Sequence, residues 1–458
     1  MSRVNQRRKA MAFTWLVLSI SFLVVTALDA SLPMNLVESI SQEQLLEQAR
    51  QRILIIRRGN FTLDFGVANA GKNIAIHQLS HSFLFGANAF FYNSTGNSSL
   101  DAECARLFSR LFNYATIPVY MRQYNEFLGT TYMTGRTAYL ESIVNWLHSF
   151  NASVKCHPVI WQIPGQVPPQ VNKTANVTSS YRRAFAKQHI RDVLQNFTDV
   201  DIFDLVNEMT HVPNYLLGNT SVQTWENALA EARAVRSNCT FIANEYNTIA
   251  PGDAAASSND AGRYYNFIKQ VVADGYAPGA LGFQGHEFMT SWLNLQDIID
   301  TFDSFGAFHI PIHITEFDPG SNRYYGGSNT IRRGPMTEES QAELASDVYA
   351  MIFSHPAVGA ITWWAFLEEL GWHPELGDYF VDLTGHVLQI YNALYNLIHV
   401  QWNSTGTYQL DAAGKIRFTG FYGNYTASMT GGSPTAFSII DNRTAATRPW
   451  RSSDVLLK

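Results

Sequence analysis

From Phe83 onward the chain alternates short apolar runs with amphipathic stretches. The apolar runs start at Phe83, Tyr114, Val154, Ile202, Thr240, Ala280, Ile312 and Gly359, and their length and composition read as strands. Helical spacing fills residues 101–112, 136–150, 180–196, 222–236, 260–274, 294–306 and 337–354 between them, and 388–399 after the last. Ser, Thr or Asp capping candidates often precede these stretches. Eight strand–helix units are the count of an α/β chain folded as a (β/α)8 TIM barrel. A doubly wound sheet usually carries a Gly-rich phosphate turn after its first strand. Phe83-LFGANAFFYN has no such turn.

The flanks follow a different rhythm. Residues 41–52 have helical spacing, and the alternating runs Ile53-LIIRRGNFTLDF and Asn73-IAIHQL then predict a β-hairpin. After Trp402 the helical period stops. Thr407-YQLDAAGKIRFTGFYGNYTASM and Thr435-AFSII alternate and turn at Gly414 and Gly423, which predicts a small β appendage placed to pack with the N-terminal hairpin. The expected organisation is therefore a leader over 1–30, a hairpin extension over 31–82, a barrel over 83–400 and a β appendage over 401–458.

The leader rests on Arg3, Arg7, Arg8 and Lys9, which precede an uncharged stretch from Met11 to Leu28, with a small-residue cleavage site at Val25-Thr26-Ala27. An uncleaved type II anchor is the alternative, since the apolar stretch is long. Sequons at Asn60, Asn93, Asn97, Asn151, Asn172, Asn176, Asn196, Asn219, Asn238, Asn403, Asn424 and Asn442 agree with secretion of an N-glycosylated protein. Only Cys104, Cys156 and Cys239 are present, so at most one bridge can form and no disulfide scaffold is possible. A net charge of −6 gives no support for binding nucleic acid or an anionic membrane surface. A monomer without membrane attachment after leader cleavage is expected.

Catalytic groups of such a barrel sit where the strands end. Those ends supply His157 and Trp161, Asn207 and Glu208, Asn244 and Glu245, Gln284 and His286, Glu316 and Asp318, then Trp364, with Trp372 in the loop beyond. Taken singly, Glu208 and Glu316 read as ordinary strand-end acids. As a pair they are the minimum apparatus for cleaving a glycosidic bond, one protonated to donate and one ionised to attack. Burial and a neighbouring carboxylate raise one pKa, while hydrogen bonds hold the other low. His286 is placed to keep Glu316 anionic, and Asn207 to hold a sugar 2-hydroxyl. There is no nucleophile elbow. His309 and His313 are four apart on a strand approach, where that spacing does not share a face, so no metal site is expected and the chemistry needs no cofactor.

These residues carry a resemblance. Asp204-LVNE and Ile314-TEFD resemble the acid/base and nucleophile motifs of glycoside hydrolase family 10, the endo-β-1,4-xylanases, particularly its plant-like secreted members. His157-PVIW, Asn244-EYN, Gly282-FQGH and Thr362-WWAFLEELGW resemble that family's motifs on strands 3, 5, 6 and 8. The resemblance implies a retaining double displacement on xylan or a related β-linked polysaccharide, with Glu208 as acid/base and Glu316 as nucleophile. It also implies that His157, Trp161, Asn207, Gln284, His286, Trp364 and Trp372 bind substrate. A non-catalytic carbohydrate-binding or inhibitor protein, or a transglycosylase, would use the same barrel. Four positions depart from the family. Pro118 and Val119 stand where it carries Glu-Asn, Arg122 where it carries Lys, and Gln162 where it carries His. By the resemblance these positions face sugar hydroxyls. Losing such hydrogen bonds, about 0.5–1.5 kcal/mol each, points to altered specificity.

Overall fold

The computed structural model describes residues 41–122, 131–251, 254–290, 292–322, 324–325, 334–368, 373–429 and 432–440. The leader, Trp372 and the Asn442 sequon lie outside them. Two compact units divide the chain, Met1–Gln44 and Leu45–Lys458. Of the first, only 41–44 are described, where helix α1 (Gln42–Ile56) begins.

The second unit contains the barrel. Its strands are β3 (Leu84–Asn88), β4 (Tyr114–Pro118), β5 (Ser153–His157), β7 (Ile202–Asn207), β8 (Thr240–Glu245), β9 (Ala280–Phe283), β10 (Ile312–Phe317) and β13 (Val358–Trp363). Each pairs in parallel with its neighbours, and β13–β3 and β5–β7 pairings close the ring. The short β6 (Ile160–Trp161) continues the line of β5 alongside β7. The strand at each predicted run is therefore present, and the fold is a (β/α)8 barrel. Parallel strands are covered on both faces, which is why β10 is buried at every position. Three of the described helices start at a Thr cap as expected and three at an Asn, while the helix Gln389–Asn396 has no capping side chain. Asn97, Thr178, Thr220, Asn259, Asn294 and Thr337 each accept a backbone N–H of the first turn that would otherwise lack a partner. Among the described residues no helix is long and apolar enough to cross a membrane. The three cysteines are free.

The predicted N-terminal hairpin does not form. Ile53–Ile56 belong to α1, and β1 (Arg58–Asp64) and β2 (Asn73–His81) do not pair with each other. β1 pairs antiparallel with β15 (Lys415–Phe421), and β2 lies between β14 (Gly406–Gln409) and β16 (Gly423–Met429), with β17 (Thr435–Ile439) beyond. Alternation marks a strand but not its partner. Here the apolar faces are buried by pairing the two flanks, with Phe61, Ile76, Phe418 and Tyr425 in one shared core. A two-residue ribbon, β11 (Tyr324–Tyr325) with β12 (Gly334–Pro335), follows β10 in the chain.

Arg57 fastens this β unit to the barrel base. Its guanidinium donates to the carbonyls of Phe353, His355 and Val358 at 2.6–2.7 Å and lies over the rings of Phe83 and Phe353. Replacing it leaves three part-buried carbonyls without that donor. Arg57→Ala is expected to cost on the order of 3 kcal/mol in chemical denaturation. Arg57→Lys should recover little of that, because an ammonium cannot reproduce the planar fork. Denaturation midpoints unchanged in Arg57→Ala would show that this anchor contributes nothing.

Candidate active site

The strand ends that the sequence singles out converge at one end of the barrel. Glu316, on β10, is 4% exposed, and its carboxylate is nonetheless surrounded by donors. Asn244 Nδ2 donates to Oε1 at 2.8 Å and His286 Nε2 to Oε2 at 3.1 Å, while His157 Nδ1 lies 3.8 Å from Oε1. Burial alone would push this carboxyl up. The imidazoles of His157 and His286, with the Lys155 ammonium farther off, overcome burial and hold it below the ordinary carboxylate range. Each donor has its own support. Thr315 Oγ1 donates to Asn244 Oδ1 at 2.6 Å, which leaves the amide N–H groups facing Glu316 and, at 2.7 Å, Asn207 Oδ1. Gly282 makes room for that amide, since a Cβ there would stand 2.4 Å from Asn244 Oδ1. His286 Nδ1 donates to Asp318 Oδ2 at 2.8 Å. Although burial opposes it, the two carboxylates raise the His286 pKa well above its ordinary value, so an imidazolium donates from both nitrogens.

Glu208 lives in the opposite environment. It follows β7 with φ 57°, a left-handed conformation that costs a side-chain-bearing residue roughly 1–2 kcal/mol. The turn tips its carboxyl toward the barrel mouth. Trp161 Nε1 donates to Oε2 at 2.7 Å and Gln284 Nε2 to Oε1 at 3.0 Å, and both donors are neutral. Burial, then the negative charge of Glu316, push this carboxyl above its ordinary range, against the pull of those two hydrogen bonds. The site therefore holds two carboxyls whose surroundings shift them in opposite directions, Glu316 down and Glu208 up.

Several participants lie outside the residues that the sequence reading proposed for the site. Lys155 and Asp204, both fully buried, place Nζ 2.6 Å from Oδ2, and the same oxygen accepts from His157 Nδ1 at 2.8 Å. Lys155 had a signal: a lysine inside an apolar strand, two residues before His157 and so on the same face. Phe90 and Tyr120 had none, being aromatics in apolar runs. They continue an arc of rings from Trp161 through Tyr120 and Phe90 to Trp364, with neighbouring centroids 5.7–6.4 Å apart. Trp364 also meets the edges of His157 and His286.

The structure corrects the expected placement of one departure from the family. Gln162 does not face the cleft. It is 1% exposed, its Oε1 accepts the N–H groups of Tyr215 and Leu216 at 2.9 and 2.8 Å, and its Nε2 donates to Asn214. Its amide is used on the loop after Glu208. Arg122 Nη1 donates to Gly165 O at 3.2 Å, and Arg122 N to Gln166 O, which ties it to a neighbouring loop. Pro118 and Val119 are buried at the end of β4, Val119 N donating to His157 O.

The comparisons with known proteins agree with this architecture. Solved relatives include xylanase 10B from Thermotoga maritima, at a TM-score of 0.56 and 20% identity over 70% of this chain and 96% of that one. The Thermotoga petrophila xylanase 10B, solved with xylobiose, gives a TM-score of 0.54 and 19% identity over 80% of this chain and 98% of that one. At such identities the likeness shows a shared fold. In sequence, the chain is 26% identical to endo-1,4-beta-xylanase B of Thermotoga neapolitana over 226 residues, 48% of this chain. It is 22% identical to the anti-sigma-I factor RsgI6 of Acetivibrio thermocellus over 397 residues, 84% of this chain. The chain spans 60% and 47% of the lengths of these two relatives. The glycosyl hydrolase family 10 model matches residues 120–396, more than half the chain and the stretch that holds both glutamates, so the chain belongs to that family.

Proposed function

We propose that the protein is a secreted, retaining endo-β-1,4-glycanase that hydrolyses xylan or a related β-linked polysaccharide. The observation that carries this reading is the opposite polarisation of Glu208 and Glu316. In the first step a Glu316 oxygen attacks the anomeric carbon as the Glu208 proton passes to the departing glycosidic oxygen. A covalent glycosyl ester on Glu316 and a free chain end result. In the second, Glu208, now anionic, takes a proton from water as that water's oxygen attacks the same carbon. Glu316 is released, Glu208 is protonated again, and the sugar's configuration is retained over the two displacements. The rings of Trp161 and Trp364 supply apolar faces beside the reacting bond, suited to the C–H face of a pyranose. That two relatives are named xylanases, one solved with xylobiose, supports a xylan-type chain as substrate.

The placement of the sequons supports passage through a secretory route. Asn60, Asn93, Asn97, Asn151, Asn176, Asn196, Asn219, Asn238 and Asn424 are exposed, and Asn172 and Asn403 are partly so. A folded protein can carry glycans at such positions without disturbing its core.

Activity on xylan, arabinoxylan, mixed-linkage β-glucan and mannan tests the reading. Glu316→Ala should lose on the order of 10⁴-fold or more on whichever glycan is cut. Glu208→Ala should lose ~10²–10⁴-fold there while keeping most of its kcat/KM on an aryl glycoside with an activated leaving group, which needs no proton. Wild-type protein as inert as Glu316→Ala on all four glycans would end the enzyme reading.

The pH profile has a definite sign. Glu316 must be ionised, and its lowered pKa puts the acid limb below the ordinary carboxylate range. Glu208 must be protonated, and its raised pKa puts the alkaline limb above that range. His286→Asn removes a charged donor to Glu316. The loss of ~1.5–3 kcal/mol should move the acid limb up by about one to two pH units and leave the alkaline limb in place. A profile of kcat/KM against pH in which only the alkaline limb moves would reverse the assignment of the two roles.

A further inference from the structure

Behind the Glu208 turn lies a second carboxylate that the proposed chemistry does not use. Glu245, the last residue of β8, has no exposed surface, and its side chain is saturated by four donors. Thr210 N and Thr210 Oγ1 donate to Oε2 at 2.9 and 2.6 Å. His211 Nδ1 and Tyr246 N donate to Oε1 at 2.6 and 3.1 Å. Three of those four donors belong to the two residues that begin two positions after Glu208. Within the same turn, His211 N and Val212 N donate back to the Glu208 carbonyl at 3.0 and 2.9 Å.

His211 is itself held on every side. Its ring stacks on Tyr246 with centroids 3.9 Å apart, and its Nε2 lies 3.2 Å from Asp260 Oδ2 at the start of helix Asp260–Ala273. Asp260 is fixed in turn by Asn247 Nδ2 at 2.8 Å and by Arg263. Burial works against charging His211, but Glu245 and Asp260 outweigh it and raise its pKa, which favours the charged ring beside Glu245.

Glu245 also reaches Glu208 by a second route. Its carbonyl accepts Gln284 N at 2.9 Å, and Gln284 Nε2 donates to Glu208 Oε1. The same residue thus stabilises the left-handed backbone under Glu208 and seats the amide that orients its carboxyl. A buried carboxyl has to be hydrogen-bonded, and here most of its partners come from the turn that presents the proposed acid.

We propose that Glu245 and His211 are positioning residues for proton donation. They clamp the turn after β7 so that the Glu208 carboxyl points at the leaving oxygen, and they touch neither the sugar nor the reacting atoms. The inference rests on the reading of Glu208 as the acid and adds what aims it.

The test separates aiming from general stability. Glu245→Gln, His211→Asn and Thr210→Ala are made in the full chain, and kcat/KM is measured on two substrates. One is a xylo-oligosaccharide with a sugar leaving group and the other a 2,4-dinitrophenyl β-glycoside, with thermal midpoints recorded alongside. A misaimed acid should lower the first by about 10–100-fold in Glu245→Gln and His211→Asn, and the second by no more than about threefold. Thr210→Ala should show the same selectivity at smaller size, which keeps the test available if Glu245→Gln does not fold. Equal losses on both substrates, or folded variants with no loss on either, overturn the positioning role. Wild-type protein inert on both substrates would instead remove the underlying enzyme reading, and this inference with it.

Discussion

An ionised carboxylate at the mouth of a closed barrel cannot stand alone, because taking an unpaired charge out of water costs many kilocalories per mole. Glu316 is such a group, and much of the surrounding structure is what its charge demands. Two imidazoles and one amide compensate it. Asp318 is needed to charge one imidazole, Asp204 with Lys155 to orient the other, and Thr315 to turn the amide the right way round. Even a backbone choice follows, since Gly282 is the only residue type whose side chain leaves space for Asn244. Each support is buried and polar, so each would itself be costly without its partner. The network is therefore closed: removing one member leaves the next uncompensated.

Glu208 needs the reverse treatment, and β7 supplies it with a change of backbone rather than of partners. A regular continuation of the strand would keep the chain in the sheet. The left-handed residue turns the carboxyl out among neutral donors, close enough to Glu316 to sense its charge. Two carboxyls of the same type and on the same sheet are thereby driven in opposite directions. The environments differ because His286 and Asn244 face one, while Trp161 and Gln284 face the other.

The barrel was legible in the sequence because each strand and each cap is a local decision. Buried parallel strands need uninterrupted apolar runs, and helix starts need an oxygen for their first N–H groups, as Asn97 and Thr337 show. The two glutamates were legible for a related reason, each being an acid where an apolar run stops. What could not be read was pairing at a distance. β1 and β2 alternate as a hairpin would, yet their partners are β15 and β16, more than 300 residues on. Gln162 is a polar residue in a loop, and nothing local says whether such a side chain faces a cleft or ties down a neighbour. Phe90 and Tyr120 escaped for the opposite reason, because an aromatic residue that lines a site has the same local pattern as one that fills a core.

That aromatic arc bears on where specificity resides. Chemistry is concentrated on β7 to β10, whose ends carry Glu208, Asn244, His286 and Glu316, while the arc is built from β3, β4, β6 and β13 by way of Phe90, Tyr120, Trp161 and Trp364. The two halves meet at Trp161, which donates to Glu208, and at Trp364, whose ring meets those of His157 and His286. On the proposed reading, exchanging polar groups for apolar ones at Pro118 and Val119 removes hydrogen bonds to hydroxyls but leaves the carboxylate network whole, because no member of that network uses those side chains. Tyr120 and Phe90 then offer ring faces and edges, which reward a sugar's C–H surface or an apolar substituent more than they reward a hydroxyl. Sugars differ mainly in where their hydroxyls point, so a wall of this kind discriminates among them weakly. On the proposed reading, selectivity then falls to the polar groups assigned to the reacting ring, His157 and Asn207 foremost among them. On the proposed reading, the chain keeps its cutting apparatus and relaxes its grip on one side of the substrate.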